Sequence, residues 1–358
     1  MGQYNFKNAD KNQKVYISDM RMIRTPNGYQ MIKIATFNTN IVSTVALNSN
    51  INKIIDYLIS SHRFINIDIL CLQGIGNSNI ANKMVTSINK KMKDLGKKNY
   101  YYAPKIEDIQ NISSHAKTIK DMELKKKKIK NNEIETKNKA KAFTQNIIIS
   151  KYPIVDYFFS NLDDDHDFDD ILGVKTLICA NISIHGNIIS VYNLQLASDI
   201  NSAKIDNVKV RERELETLKY DILRNKVNLK SQEIYKLYVR TDIHLLLGSL
   251  NINETKDDNI NSEYFNLIKT LKCVDIFRCY VPESQIGFTT VNNERYDYIM
   301  LLLSDKLNVS DYENILASIH KKLKIHTLDM EIRDDLLLTY NNNNFPVEFV
   351  FMIYTNEH

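Results

Sequence analysis

Several runs of this chain climb through apolar residues and stop at a polar tip: "MIKIATFN" (Met31 to Asn38), "IDILCLQ" (Ile67 to Gln73), "VYNLQL" (Val191 to Leu196) and "LLLGSLN" (Leu245 to Asn251). Each has the length, β-branched content and bounded ends of a buried or half-buried strand. "TLICANISIHGNIISVYNLQL" (Thr176 to Leu196) reads as a hairpin turning at His185-Gly186-Asn187, and "YYYAP" as an edge strand stopped by Pro104. "FTQNIIISKYPI", "IVDYFFSNL", "YDYIMLLL" and "PVEFVFMIY" add further strands. Helical spacing appears in "SNINKIIDYLI", which Ser49 or Asn50 would cap. It recurs in "NIANKMVTSINKKMKDL", with Ile80, Met84, Ile88, Met92 and Leu95 on one side, and in "DNVKVRERELETLKYDILRN", with Leu215, Leu218 and Ile222 inward. A short helix is expected around Tyr264 to Ile268. Strands outnumber helices, and hairpins alternate with two or three βα units. That pattern predicts an α/β (α+β) chain of two packed sheets with helices outside.

At 358 residues the chain is long enough for two average domains or one large one. The four cysteines are scattered: Cys71 and Cys179 lie in apolar runs, and Cys273 and Cys279 lack the CxxC spacing of a zinc site. This reads as a reducing, intracellular, cytoplasmic setting. No apolar run approaches the roughly 20 residues of a membrane span, and the N-terminal stretch lacks a signal-peptide core, so no membrane association is expected. Zero Trp, few Gly and Pro, and abundant Ile, Asn and Lys describe an AT-rich coding sequence, in keeping with a viral, protist or bacterial source.

Charge is unevenly spread. Between Ala116 and Ala142 stand ten lysines against four acids, more than the whole chain's formal +4, so the remainder is net acidic. Polyanion attraction would have to concentrate there, on Lys125, Lys126, Lys127, Lys128 and Lys130. The alternative is a solvated insertion. "DDDHDFDD" (Asp163 to Asp170) could collect a hard cation, but it lacks the Gly and bidentate Glu of an EF-hand loop.

Taken in order, the motifs resemble the DNase I-like endonuclease/exonuclease/phosphatase superfamily. "IKIATFN", "DILCLQG", "NIIISKYPI", "VYNLQL", "LLLGSLNI", "VDIFRCY" with "GFTT" and "RYDYIML", and "NNNFPVEF" follow that family's sequence of strands from about Met31 to Tyr354. The resemblance implies a four-layer α/β/β/α sandwich with two mostly antiparallel sheets. It would occupy residues 31–358, after an N-terminal extension over 1–30 and with the Lys-rich insertion at about 116–142. It also implies a Mg²⁺-dependent phosphodiesterase or phosphatase site, of which Asn38, Gln73, Asn251 and Asp297 survive.

The remaining positions depart from the family. Its metal-binding Glu corresponds to Gly74, its phosphoryl-stabilising His to Gln195, its water-orienting Asp to Ser249, and its terminal Asp-His pair to Asn343 and Asn344. Mg²⁺ is dehydrated reluctantly and wants carboxylates, and Gln or Asn cannot serve as a general base near neutral pH. These replacements predict a pseudoenzyme without a metal or other cofactor, kept for binding or assembly. Its partner would be a protein, a further copy of itself, a larger particle such as a virion, or nucleic acid held by the Lys-rich loop. The alternative is an active, divergent Mg²⁺ nuclease or phosphodiesterase whose ligands have moved, to Asp163–Asp170 or to Glu254, Asp257 and Asp258. Structural readings stand beside these: Asn38 satisfying backbone groups, Gln73 as an internal hydrogen-bonder, and Asp297 paired with Arg295.

Overall fold

A computed structural model describes residues 29–41, 44–59, 67–105, 107–108, 145–162, 175–198, 206–231, 239–254, 262–280, 287–290, 292–303, 325–332 and 344–354. The first sheet holds β1 (Tyr29–Ile41), β2 (Ile69–Ile75), β3 (Tyr101–Ala103), β4 (Ile147–Ser150), β11 (Ile325–Ile332) and β12 (Val347–Tyr354), in the order β11-β12-β1-β2-β4-β3. The second holds β5 (Ile154–Asn161), β6 (Thr176–Ile184), β7 (Asn187–Gln195), β8 (Val239–Ser249), β9 (Cys273–Asp275) and β10 (Asp297–Leu302), in the order β5-β6-β7-β8-β10-β9. Each sheet contains one parallel pair, β1 with β2 and β7 with β8, and its other pairs are antiparallel.

Three apolar clusters fix the layering. Alternate residues of both sheets, among them Ile34, Ile69, Val191, Leu245 and Ile299, meet between the sheets. The other face of the first sheet, with Ala35, Leu70 and Ile149, packs on α1 (Thr44–Ile59) and α2 (Ser78–Asp94). The outer face of the second sheet, with Leu177, Tyr192 and Met300, packs on α3 (Asn207–Ser231) and α4 (Glu263–Leu271). A strand with apolar residues on both faces reads as a continuous hydrophobic run, which is why "ILCLQ" and "HLLLG" carry so little alternation. The four-layer α/β/β/α arrangement follows, as expected.

Several local expectations need correction. α1 reaches back to Thr44, so Ser49 and Asn50 lie inside it; Ala46 and Leu47 are buried and continue the stripe of Ile54 and Ile55 toward the N-terminus. Leu95 does not join the buried side of α2. It is the C-terminal cap, half-exposed, and the helix is capped at its start by Asn77, whose side chain accepts from the Ile80 amide. The "VDIFRCY" segment splits into β9 and a single-turn helix, α5 (Ile276–Tyr280). β11, "IHTLDMEI", lies at the sheet edge, where polar residues and a register shift between Thr327 and Asp329 hide the strand signal.

Candidate functional site

The inward-facing residues of five strands change character at the same end of the sandwich. Along β1 the series runs Ile32, Ile34, Thr36, Asn38; along β2 it runs Ile69, Cys71, Gln73. Opposite them, β7 gives Val191, Asn193, Gln195; β8 gives Leu245, Leu247, Ser249; and β10, read backwards, gives Leu301, Ile299, Asp297. Because side chains alternate along a strand, the core position of the earlier members places the later ones in the same inter-sheet layer. Register aligns them further: Asn38 pairs with Gln73, and Ser249 lies between Gln195 on one side and Asp297 on the other. The apolar core therefore ends in a polar layer that contains most of the positions singled out from sequence.

Gln73 is the internal hydrogen-bonder anticipated. Its Nε2 donates to Thr36 Oγ1 (2.9 Å), to the Cys71 carbonyl (3.2 Å) and, across the sheets, to Asn193 Oδ1 (2.6 Å). Asn193 in turn donates from Nδ2 to the carbonyls of Leu72 and Ile147, both at 3.0 Å, so these two amides tie the sheets together. Asn193 was missed as a site residue, although it stands two positions before Gln195 and so on the same face. Asn251 adopts a left-handed backbone (φ 53°) and donates to the Leu196 carbonyl at 2.6 Å. Asn344 bridges to Thr290 and donates to the Asn38 carbonyl at 3.3 Å. Asn38 does not fill the structural role considered for it: its side-chain Oδ1 is buried without a hydrogen bond.

Gly74 has φ +69°, a conformation that costs any side chain strain. A Cβ built there would stand 2.6 Å from Asn38 Oδ1 and 2.8 Å from the Asn40 backbone nitrogen. Asn40 is itself left-handed (φ 47°), at the point where β1 loses register with β2. The turn of β1 thus lies against Gly74 and closes the place where the resemblance puts the metal-binding Glu. Gly248 has a different reason to be glycine: a Cβ there would overlap the Leu194 carbonyl oxygen of the adjacent strand.

Asp297 is fully buried, and neither carboxylate oxygen makes a hydrogen bond of normal geometry. Burial pushes its carboxyl up to about 7, against the lowering pull of the Thr289 and Ser249 hydroxyls and of Arg295. The expected Asp297–Arg295 ion pair is replaced by another. Arg295 binds Asp275 (2.8 Å) and Glu254 (2.6 Å), stacks on Phe277 and Tyr298, and shares Glu254 with Arg278. Glu254, proposed from sequence as a relocated ligand, is thereby held by two guanidinium groups.

The donor set fits Mg²⁺ poorly. Among the described residues no three His, Cys, Asp or Glu side chains come together, and the one carboxylate in the polar layer is held toward its neutral form. Mg²⁺ needs charged oxygen ligands to offset its dehydration. Asn343, the Asp163–Asp170 run, Asp257, Asp258 and the lysines Lys125, Lys126, Lys127, Lys128 and Lys130 lie outside the described residues. No described helix is long and apolar enough to cross a membrane.

No protein-family model matches the sequence, and no curated protein matches it. Solved structures do match in three dimensions. The crystal structure of SmcL superposes with a TM-score of 0.50 at 13% identity, over 90% of this chain and 98% of that one. Sphingomyelinase C from Streptomyces griseocarneus gives 0.50 at 12% identity, over 90% and 99%. An endonuclease/exonuclease/phosphatase family protein from Bacteroides thetaiotaomicron gives 0.48 at 12% identity, over 92% and 100%. At such identities the likeness speaks to the fold alone. With its two six-stranded mixed sheets, flanking helices and polar layer at one end of the inter-sheet core, the chain has the DNase I-like fold of the endonuclease/exonuclease/phosphatase proteins.

Proposed function

We propose that this protein is a pseudoenzyme, a DNase I-like sandwich retained for binding or assembly rather than for phosphodiester hydrolysis. The observation that carries the reading is the closure of Gly74. The position that should supply the main metal carboxylate has lost its side chain, and the backbone of Asn40 together with the Asn38 amide occupies the room a side chain would need. Gln195 and Ser249 stand where the resemblance calls for a His and an Asp, and neither takes up a proton near neutral pH. Groups that act as a unit in catalysis are not lost additively, so removing all of them leaves little rate. Glu254, held by Arg278 and Arg295, is a poor substitute ligand. The partner is a protein, a second copy or a larger assembly, or else a nucleic acid engaged through Lys125–Lys128 and Lys130, in an intracellular, reducing setting.

Turnover decides the matter. Purified protein should cleave neither a generic phosphodiester nor plasmid DNA above the no-protein control, in Mg²⁺ or in Mn²⁺. Metal-dependent turnover that copurifies with the chain through successive columns would overturn the proposal. It would direct attention to Asp163–Asp170, Asp257 and Asp258.

A further inference from the structure

Four oxygens at the polar end of the core have no hydrogen-bond donor: Asn38 Oδ1, Gln73 Oε1, and both carboxylate oxygens of Asp297. Their residues are at least nine-tenths buried, and buried acceptors left unpaired are rare enough to call for an explanation. Asn38 and Gln73 are register partners on the first sheet, and β1 packs across the core against β8 and β10, whose ends carry Ser249 and Asp297. The Gln73 Nε2 is already committed to three acceptors, which fixes the amide orientation and leaves its oxygen turned away from them.

We propose that this layer binds one singly charged alkali cation, K⁺ or Na⁺, between Asn38, Gln73 and Asp297, in place of the divalent ion the resemblance implies. Charge counting supports it. Arg295 and Arg278 are balanced by Asp275 and Glu254 within their own network, so the Asp297 carboxylate is left without a counter-charge of its own. One negative charge with two neutral amide oxygens matches a cation of charge one. A divalent ion would retain excess charge in a buried site and would have to shed a tightly held hydration shell. A single water molecule offers only two donors to four waiting oxygens, whereas a cation accepts all of them as ligands. The site goes beyond the non-catalytic reading and stands or falls separately from it.

The test is thermal unfolding at pH 8 and constant ionic strength, with choline chloride replaced stepwise by KCl or NaCl. Binding to the folded state alone should raise Tm saturably from its onset, by about 2 °C for each tenfold increase beyond the midpoint. Asp297→Asn should abolish the response. An identical Tm in choline and in both alkali salts overturns the proposal, as does an undiminished response in Asp297→Asn. Should that variant fail to fold, crystals of the wild-type chain soaked in thallium(I), a K⁺ mimic, provide a direct readout. An anomalous peak within coordination distance of Asn38 Oδ1 and Asp297 is expected, and its absence at saturating thallium rejects the site. A parallel MgCl₂ series separates the two readings. Stabilisation by Mg²⁺ with phosphodiester turnover sinks the pseudoenzyme proposal, while a null result in every salt sinks only the cation site.

Discussion

Asp297 is the residue at which the physical argument is sharpest. Its folded-state carboxyl lies near 7, above the model value of 3.8, so the fold favours the protonated acid. Its contribution to stability is therefore fully present below about 3.8 and is lost as pH rises through about 7. Asp297→Asn keeps the shape and removes the titration. In choline buffer, free of alkali cations, we expect it to raise stability at pH 8 by a few kcal/mol, about 4 at most, and to change little near pH 4. Denaturant melts at the two pH values check this, and equal effects at both would contradict it. Gly74 gives a second residue-scale prediction. Gly74→Ala should cost roughly 2 kcal/mol or more, because strain at positive φ adds to overlap with the Asn40 backbone. Gly74→Glu should likewise destabilise, without conferring Mg²⁺ binding. Sequence could show that Glu was absent from this position, but not that the backbone had closed over it. The same holds for Arg295, whose partners Asp275 and Glu254 are 20 and 41 positions away and come within reach only through the fold.

Elements were legible where one pattern ruled and obscure where two competed. β2 and β8 are buried on both faces and announce themselves as apolar runs, and the Leu215, Leu218, Ile222 stripe of α3 is buried as its spacing predicts. The first turn of α1 was missed because Ser49 and Asn50 look like caps; Ser49 instead returns its hydroxyl to the Ala46 carbonyl, and Asn50 is buried within the helix. β11 was missed because an edge strand needs few apolar residues to be held by its single neighbour. Between the sheets, the Gln73–Asn193 amide pair joins β2 to β7. Replacing either by Ala should cost about 1–3 kcal/mol, since each removal strands buried polar groups on the other sheet. A double-mutant cycle should then return a coupling of at least about 0.5 kcal/mol, whereas strict additivity would mean that the pair does not hold the sheets together.

For the whole molecule, motif order carried more information than any single motif. Strands with polar tips, met in one sequence order, placed Asn38, Gln73, Gln195, Ser249 and Asp297 at a common end of the sandwich before any coordinates were considered. The chemical state of that end was not legible, because it depends on burial, on backbone angle and on which acceptors go unpaired. The charge distribution makes its own whole-molecule prediction. If nucleic acid is the partner, binding should weaken steeply with salt, and replacing Lys125, Lys126, Lys127, Lys128 and Lys130 by Ala should flatten the log K against log [salt] slope by up to about four units. An unchanged slope would exclude that segment as the contact.

The central claim, that this DNase I-like sandwich no longer holds a divalent metal, is tested most directly by calorimetric titration of the intact chain with Mg²⁺ and Mn²⁺. The account predicts no saturable heat in the millimolar range or tighter for either ion. A saturable isotherm of one ion per chain, weakened by Asp297→Asn or Asn38→Ala, would contradict it and return the polar layer to the status of a working metal centre.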